Sequence, residues 1–166
     1  MPLLTLGQAT PYPDQYDPSL LFPIPRSETR LKLYIKPNQA LPFVGVDIWN
    51  AFELSWLNTK GKPQIALAEF QVPADSPNMI ESKSFKLYLN SFNSARFEDE
   101  AAVREQLITD LSAVAGSKIA TRINSTEAVS KKGMQEMTGV LMDRLDIEID
   151  PSLSADPALL EVNESF

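Results

Sequence analysis

The amino-acid sequence predicts an α+β fold in which an antiparallel four-stranded sheet carries two helices on one face. Three observations lead there. Apolar residues recur at period two across 46–57 and 63–70, at a period near 3.6 across 82–93 and 97–116, and at period two again across 117–124 and 144–150. Two hairpins flanking two helices suit an antiparallel sheet with both helices on the same side. An open sheet of this kind has two unpaired edges, so a partner module or subunit is expected to continue it.

Taken in order, residues 1–45 hold Pro2, Pro11, Pro13, Pro18, Pro23, Pro25, Pro37 and Pro42 and show no sustained period, which reads as an extended, largely irregular arm. Its Leu20, Leu21, Phe22 and Ile24 are apolar enough to pack on a domain. In VDIWNAFELSWLN, Ile48, Phe52, Leu54 and Trp56 fall on one face of a strand with Asn50 interrupting, and Asn58–Gly61 turns the chain into PQIALAEF at 63–70. After the loop VPADSPN, Phe85, Leu89 and Phe92 recur at i, i+4 and i+7 with Tyr88 alongside, as on a helix packed against a sheet. The second helix carries Val103, Leu107, Leu111 and Val114; Glu98, Asp99 and Glu100 suit its electropositive start and Gly116 its end. SKIATRIN and RLDIEID, with Leu145, Ile147 and Ile149 alternating, supply the last two strands. Residues 46–150 thus read as the folded module and 151–166 as an acidic linker or tail without a pattern of its own.

Composition narrows the chemistry. At 166 residues, 43% hydrophobic and 22% charged, the chain is long enough for a core and unlike a disordered one. No apolar run approaches the roughly 18 residues of a membrane span, and the start lacks a basic region followed by an apolar one, so a cytoplasmic location without membrane association is expected. Absence of cysteine excludes disulfides, thiolate metal sites and thiol nucleophiles; absence of histidine removes the commonest general base and metal ligand. A self-contained hydrolase triad or zinc site is therefore not expected. From Asp143 onward seven acids face one base, Arg144, so most of the net charge of −7 sits in the tail. Nucleic acid is not an expected partner, since the cations that remain in one region, Lys83, Lys86 and Arg96, suit a small phosphorylated ligand better than a duplex.

The stretch IESKSFKLYLNSFN, residues 80–93, concentrates polar groups ahead of an apolar stripe. One reading makes Ser82 and Ser84 caps, Lys83 and Lys86 a solvated face, and Asn90 and Asn93 a helix end. The other makes them a ligand site. Glu81 offers two coplanar acceptor oxygens matching adjacent N–H donors of a guanine-like base, while Ser82 and Lys83 at a helix start suit a phosphate and Lys86 extends the cationic field. Trp49, Trp56, Phe52 and Tyr88 are read as core or interface rather than base-stacking platforms. Asp47 and Glu53 have no spacing that marks a general acid.

ESKSFKLYLNSFN, with Phe97 of NSARF, resembles the signature of the NADPH-dependent 7-cyano-7-deazaguanine reductases, nitrile reductases of queuosine biosynthesis in tRNA modification. LGQATPYPDQYDPSLLFPIPRSETR, DIWNAFELSWLNTKGKPQIALAEF and DLSAVAGSKI resemble the N-terminal half of that family's long, two-module form, so the likeness covers most of residues 4–150. It implies a tunnelling fold (T-fold) whose modules join edge to edge, and a four-electron reduction of a deazapurine nitrile to an amine with NADPH as cofactor. It further implies that Ile80, Glu81 and Ser82 line the substrate site and that Ser82 and Lys83 contact NADPH. The family's catalytic cysteine, acid and His-Glu pair belong to the second module, so the resemblance implies no catalytic residue here, a chain inert alone, and partners in a second T-fold module, a deazapurine and further copies in a homo-oligomer. The reading from another class is a non-catalytic purine- or pterin-binding or assembly module.

Overall fold

The computed structural model describes residues 13–36 and 39–130, and beyond them 138, 139, 141–144, 146–148, 150, 152, 154 and 156. The chain divides into two compact units, Met1–Gly133 and Met134–Phe166. In the second, the regular element among the described residues is a single 3₁₀ turn, Met142–Arg144.

The first unit runs β1 (Pro23–Pro25), α1 (Arg26–Lys32), β2 (Val46–Leu57), β3 (Pro63–Pro73), β4 (Asn78–Ile80), α2 (Ser82–Ser91), α3 (Glu100–Ala115), β5 (Ala120–Ser125) and α4 (Thr126–Ser130). Among the described residues the strands pair antiparallel: β2, β3 and β5 form a sheet in that order, and β1 and β4 form a separate ribbon, with one isolated parallel bridge between Leu57 and Arg96. The α+β class and the two helices on the core side of the sheet agree with the pattern in the sequence; the four-stranded sheet does not. Its expected fourth strand, RLDIEID, is not a strand among the described residues: Met142–Arg144 turn, and Asp146–Glu148 lie outside any ladder. Acids fill the positions between the apolar ones, and Ile147, the apolar position of this stretch among the described residues, is 61% exposed and offers no buried contact to drive pairing. Leu145 and Ile149 fall outside the described residues.

The expected face of β2 also needs correction. Leu54 and Trp56 are buried, but Ile48 and Phe52 are 58% and 72% exposed. The register explains it. Ala51 faces Ala68 whereas Leu54 faces Ala66, so β2 advances three residues while β3 advances two. One extra residue makes a β-bulge and shifts the inward set from Trp49 and Ala51 to Leu54 and Trp56.

The core lies between the sheet and α2 and α3. Ala66, Ala68, Phe70 and Val72 come from β3, Phe85 and Tyr88 from α2, Phe92 from the 3₁₀ turn after it, and Val103, Leu107, Leu111 and Ala115 from α3. Phe85 meets Phe70 edge-on at 5.1 Å and Trp49 at 5.6 Å, while Phe92 meets Tyr88 edge-on at 5.2 Å and stacks on Phe97 at 5.4 Å. Such pairs add about 0.5–1.5 kcal/mol to area burial. The ends of α3 follow from local chemistry. Asp99 accepts a hydrogen bond from the Ala102 N–H at 2.8 Å. Gly116 ends the helix at φ +69°, where a Cβ would meet Pro77 Cγ at 3.1 Å, so both backbone hand and space favour glycine.

The arm is more regular than its composition suggests. Asp17 caps a 3₁₀ turn, Pro18–Leu20, through Ser19, and β1 pairs Pro23 with Ile80, Ile24 with Met79 and Pro25 with Asn78. Arg26 is buried and bridges Asp47 and Ser76. The Tyr16 hydroxyl donates to Asp110 Oδ2 at 2.5 Å, the Tyr88 hydroxyl to the same oxygen at 2.6 Å, and Gln106 Nε2 donates to Asp110 Oδ1 at 3.0 Å and to the Tyr16 oxygen at 2.8 Å. Burial first, and the Asp110 carboxylate second, hold both phenols well above the ordinary tyrosine range.

Two outcomes test this arrangement. Leu107→Ala, at a fully buried position on α3, is expected to cost about 2–5 kcal/mol in chemical denaturation, whereas Phe52→Ser on the open side of the bulge is expected to stay within about 0.5 kcal/mol. The raised phenols contribute stability that is intact below the unfolded tyrosine pKa of about 10 and is lost above it, since the unfolded chain then ionises while the folded one holds its protons. Melting temperature is expected to fall more steeply above about pH 10 in the natural chain than in Tyr88→Phe; equal slopes would remove these phenols as the cause.

Candidate functional site

The polar stretch after β4 is built by three neighbouring constraints. The β1–β4 ribbon ends at Ile80, which is 3% exposed and part of the core. The Glu81 N–H then donates to the Phe22 carbonyl at 2.9 Å, holding the next residue against the arm. From Ser82 the chain turns helical, because Phe85, Tyr88 and Phe92 can bury only at that spacing.

Glu81 is the N-cap of α2. Its Oε1 accepts the Lys83 N–H at 2.9 Å and its Oε2 accepts the Ser84 N–H at 2.7 Å, with the Ser82 hydroxyl at 3.4 Å from Oε1. The residue is 4% exposed. A carboxylate here meets orphan helix donors and the positive end of the helix dipole together. Ser84, 1% exposed, donates its hydroxyl to the Glu81 carbonyl at 2.8 Å and accepts the Phe22 N–H at 3.0 Å. Ser82 is exposed, Lys83 is half-buried and Lys86 is exposed.

Ser82 and Lys86 open onto a cleft of about 280 Å³ between α2 and β2, lined also by Trp49, Phe52, Glu53 and Asn90. The bulge makes this wall, turning both Phe52 and Glu53 away from the core. A larger open cleft of about 830 Å³, lined by Arg30, Lys36, Phe43 and Asn78, includes none of residues 80–86.

The cap is thus Glu81, not Ser82 or Ser84 as the first reading has it: Ser84 binds the arm, and Ser82 and Lys86 stand beside a cleft. A hydroxyl and an ammonium at a helix start are chemically suited to a phosphate. The backbone donors of Lys83 and Ser84 already face the Glu81 carboxylate, so side chains would supply most of the attraction for an anion. At about 280 Å³ the cleft is just below the roughly 300–1,000 Å³ that encloses a whole small ligand. Of the cations considered together, Arg96 stands apart: its Nη1 donates to the Thr59 carbonyl at 2.8 Å, at the β2–β3 turn. Tyr88 and Trp56 are buried core residues, but Trp49 and Phe52 line the cleft. Asn50 and Asn90 also stand in its wall, although the sequence read Asn50 only as interrupting a strand face and Asn90 only as a helix end.

Residues 12–123 match the profile of a family described as "Nitrile reductase, 7-cyano-7-deazaguanine-reductase N-term". The chain belongs to this family. It is 53% identical over 156 residues to the NADPH-dependent 7-cyano-7-deazaguanine reductase of Bordetella pertussis, which covers 94% of the chain and 56% of that protein. The proteins of the same name from Burkholderia orbicola and Cupriavidus necator are 54% and 50% identical, over 93% and 96% of the chain and 55% and 57% of their own lengths. The chain thus spans about half the length of the curated relatives it matches. Among the described residues no helix is long and apolar enough to cross a membrane.

Removing the cap is expected to show its structural share. Glu81→Ala should lower the unfolding free energy by about 1–3 kcal/mol, and Glu81→Gln, which keeps one acceptor oxygen, by less. Urea denaturation of this chain measures both; an unchanged midpoint for Glu81→Ala would mean the carboxylate does not hold the helix start.

Proposed function

We infer that this chain is the N-terminal module of an NADPH-dependent nitrile reductase converting 7-cyano-7-deazaguanine to 7-aminomethyl-7-deazaguanine, and that it supplies substrate and cofactor contacts while a second module supplies the catalytic thiol. One observation carries the reading: the family's signature stretch stands at the start of α2 with Ser82 and Lys86 facing a cleft. Membership of the family and the half-length match to reductases support it. The lack of cysteine and histidine agrees with a division of labour, since a nucleophilic thiolate cannot come from these 166 residues.

In this reading Ser82 and Lys83 hold the cofactor's phosphate end, and Lys86 adds charge from one turn further along the helix. NADPH, when bound, supplies the hydride. Ile80, Glu81 and Ser82 line the substrate site; the buried side chains of Ile80 and Glu81 set the position of the segment, and Ser82 reaches outward. The module belongs to the tunnelling fold, and the open edge of the β2–β3–β5 sheet is where a second module continues the strands. Two such modules per polypeptide and several polypeptides per assembly, in the cytoplasm, complete the proposal.

The decisive measurement is NADPH affinity in the enzyme assembled with its second module. Lys83→Ala is expected to weaken it about tenfold, the loss of a charge-assisted contact of about 1.5 kcal/mol, with little change in substrate affinity. Unchanged NADPH binding would overturn the cofactor assignment.

A further inference from the structure

Two serines of α2, seven residues apart and each 1% exposed, have hydroxyls turned toward the arm rather than toward the cleft. Ser84 Oγ accepts the Phe22 N–H at 3.0 Å, and Ser91 Oγ accepts the Asp17 N–H at 3.2 Å. Each also donates back into the helix, Ser84 to the Glu81 carbonyl at 2.8 Å and Ser91 to the Tyr88 carbonyl at 2.6 Å. Next to those anchors, Tyr16 is tied to Asp110 and the Glu81 N–H donates to the Phe22 carbonyl. The arm from Tyr16 to Pro25 is therefore fastened along α2 at both ends of the helix. A proline-rich segment suits that task, because it loses little conformational freedom on docking and has few N–H groups of its own to satisfy.

The two fastenings differ in where they act. Ser84 closes a ring in which Phe22 holds Glu81 through its carbonyl and Ser84 through its N–H, while Glu81 caps the helix that presents Ser82 and Lys83. Ser91 sits about two turns away, at the other end of α2. We propose that Ser84 is a positioning residue for cofactor binding: through the Phe22 and Glu81 contacts it fixes the direction in which the start of α2 offers Ser82 and Lys83, without touching the ligand itself. This rests on the reading of that helix start as the cofactor site.

Ser84→Ala and Ser91→Ala each remove one arm bond from an equally buried serine, so a purely structural role predicts like losses of stability and like kinetics. Positioning predicts otherwise. In the assembled enzyme Ser84→Ala is expected to raise the KM for NADPH roughly five- to tenfold with kcat little changed, and Ser91→Ala to leave that KM within about twofold at a similar drop in melting temperature. Ser84→Thr, which keeps the hydroxyl, should stay nearer the natural enzyme than the alanine variant in that KM, and Ser84→Cys, slightly larger and a weaker hydrogen-bonding group, serves as the readout where Ser84→Ala does not fold. Equal KM values for the Ser84 and Ser91 variants, while Lys83→Ala still weakens NADPH, overturn the positioning role alone. Loss of the Lys83 effect as well overturns the cofactor site on which it stands.

Discussion

Burial of α2 is the constraint on which the rest of the first unit depends. The helix lies with Phe85 against Phe70 and with Tyr88 and Phe92 inside the cluster that α3 completes. A helix buried that far takes polar groups down with it, and each needs a partner or costs about 1–3 kcal/mol. Ser84 and Ser91 find theirs in the arm and in the helix's own carbonyls, Tyr88 finds Asp110, and the helix start finds Glu81. The arm, the ribbon and the cap are thus answers to one problem, how to sink a helix whose first turn must still present polar side chains to a cleft.

The division between buried and presented groups is sharp at the level of single residues. Within Ile80–Lys86, Ile80, Glu81, Ser84 and Phe85 are buried, whereas Ser82 and Lys86 are exposed and Lys83 is half-buried. Helical geometry requires this, since residues three and four apart share a face and their neighbours do not. A dense polar stretch can therefore be a cap and a ligand surface at once, with different residues serving each end.

What could be read from the sequence follows the range of the interactions involved. The α3 helix was largely legible, from the Val103, Leu107 and Leu111 stripe to Asp99 and Gly116, because stripe and caps are local; at its last turn Ala115 is buried while the expected Val114 is only half-buried. Ser82 and Lys86 were legible as candidates for the same reason. The face of β2 was not, because a bulge depends on the strand opposite, and Ile48 and Phe52 are good strand residues on either side. The β1–β4 ribbon is three residues long with two prolines in one strand, too short for a period to register. That Glu81 turns inward to the helix rather than outward could not be foreseen, because both environments ask for the same acceptor oxygens. In RLDIEID the alternation was present, but Ile147, its apolar position among the described residues, is exposed.

The extra residue in β2 bears on solubility. Before the bulge the strand offers an open margin with Ile48 and Phe52 exposed near it, and at its far end Leu57 is already engaged by residues 95–97. An uninterrupted twelve-residue margin of that composition would be a template for stray chains to add to, building aggregates by backbone pairing alone. A kink partway along breaks the regular spacing of donors and acceptors that such a recruit would need, so the same irregularity that shapes the cleft wall also works against indiscriminate self-association.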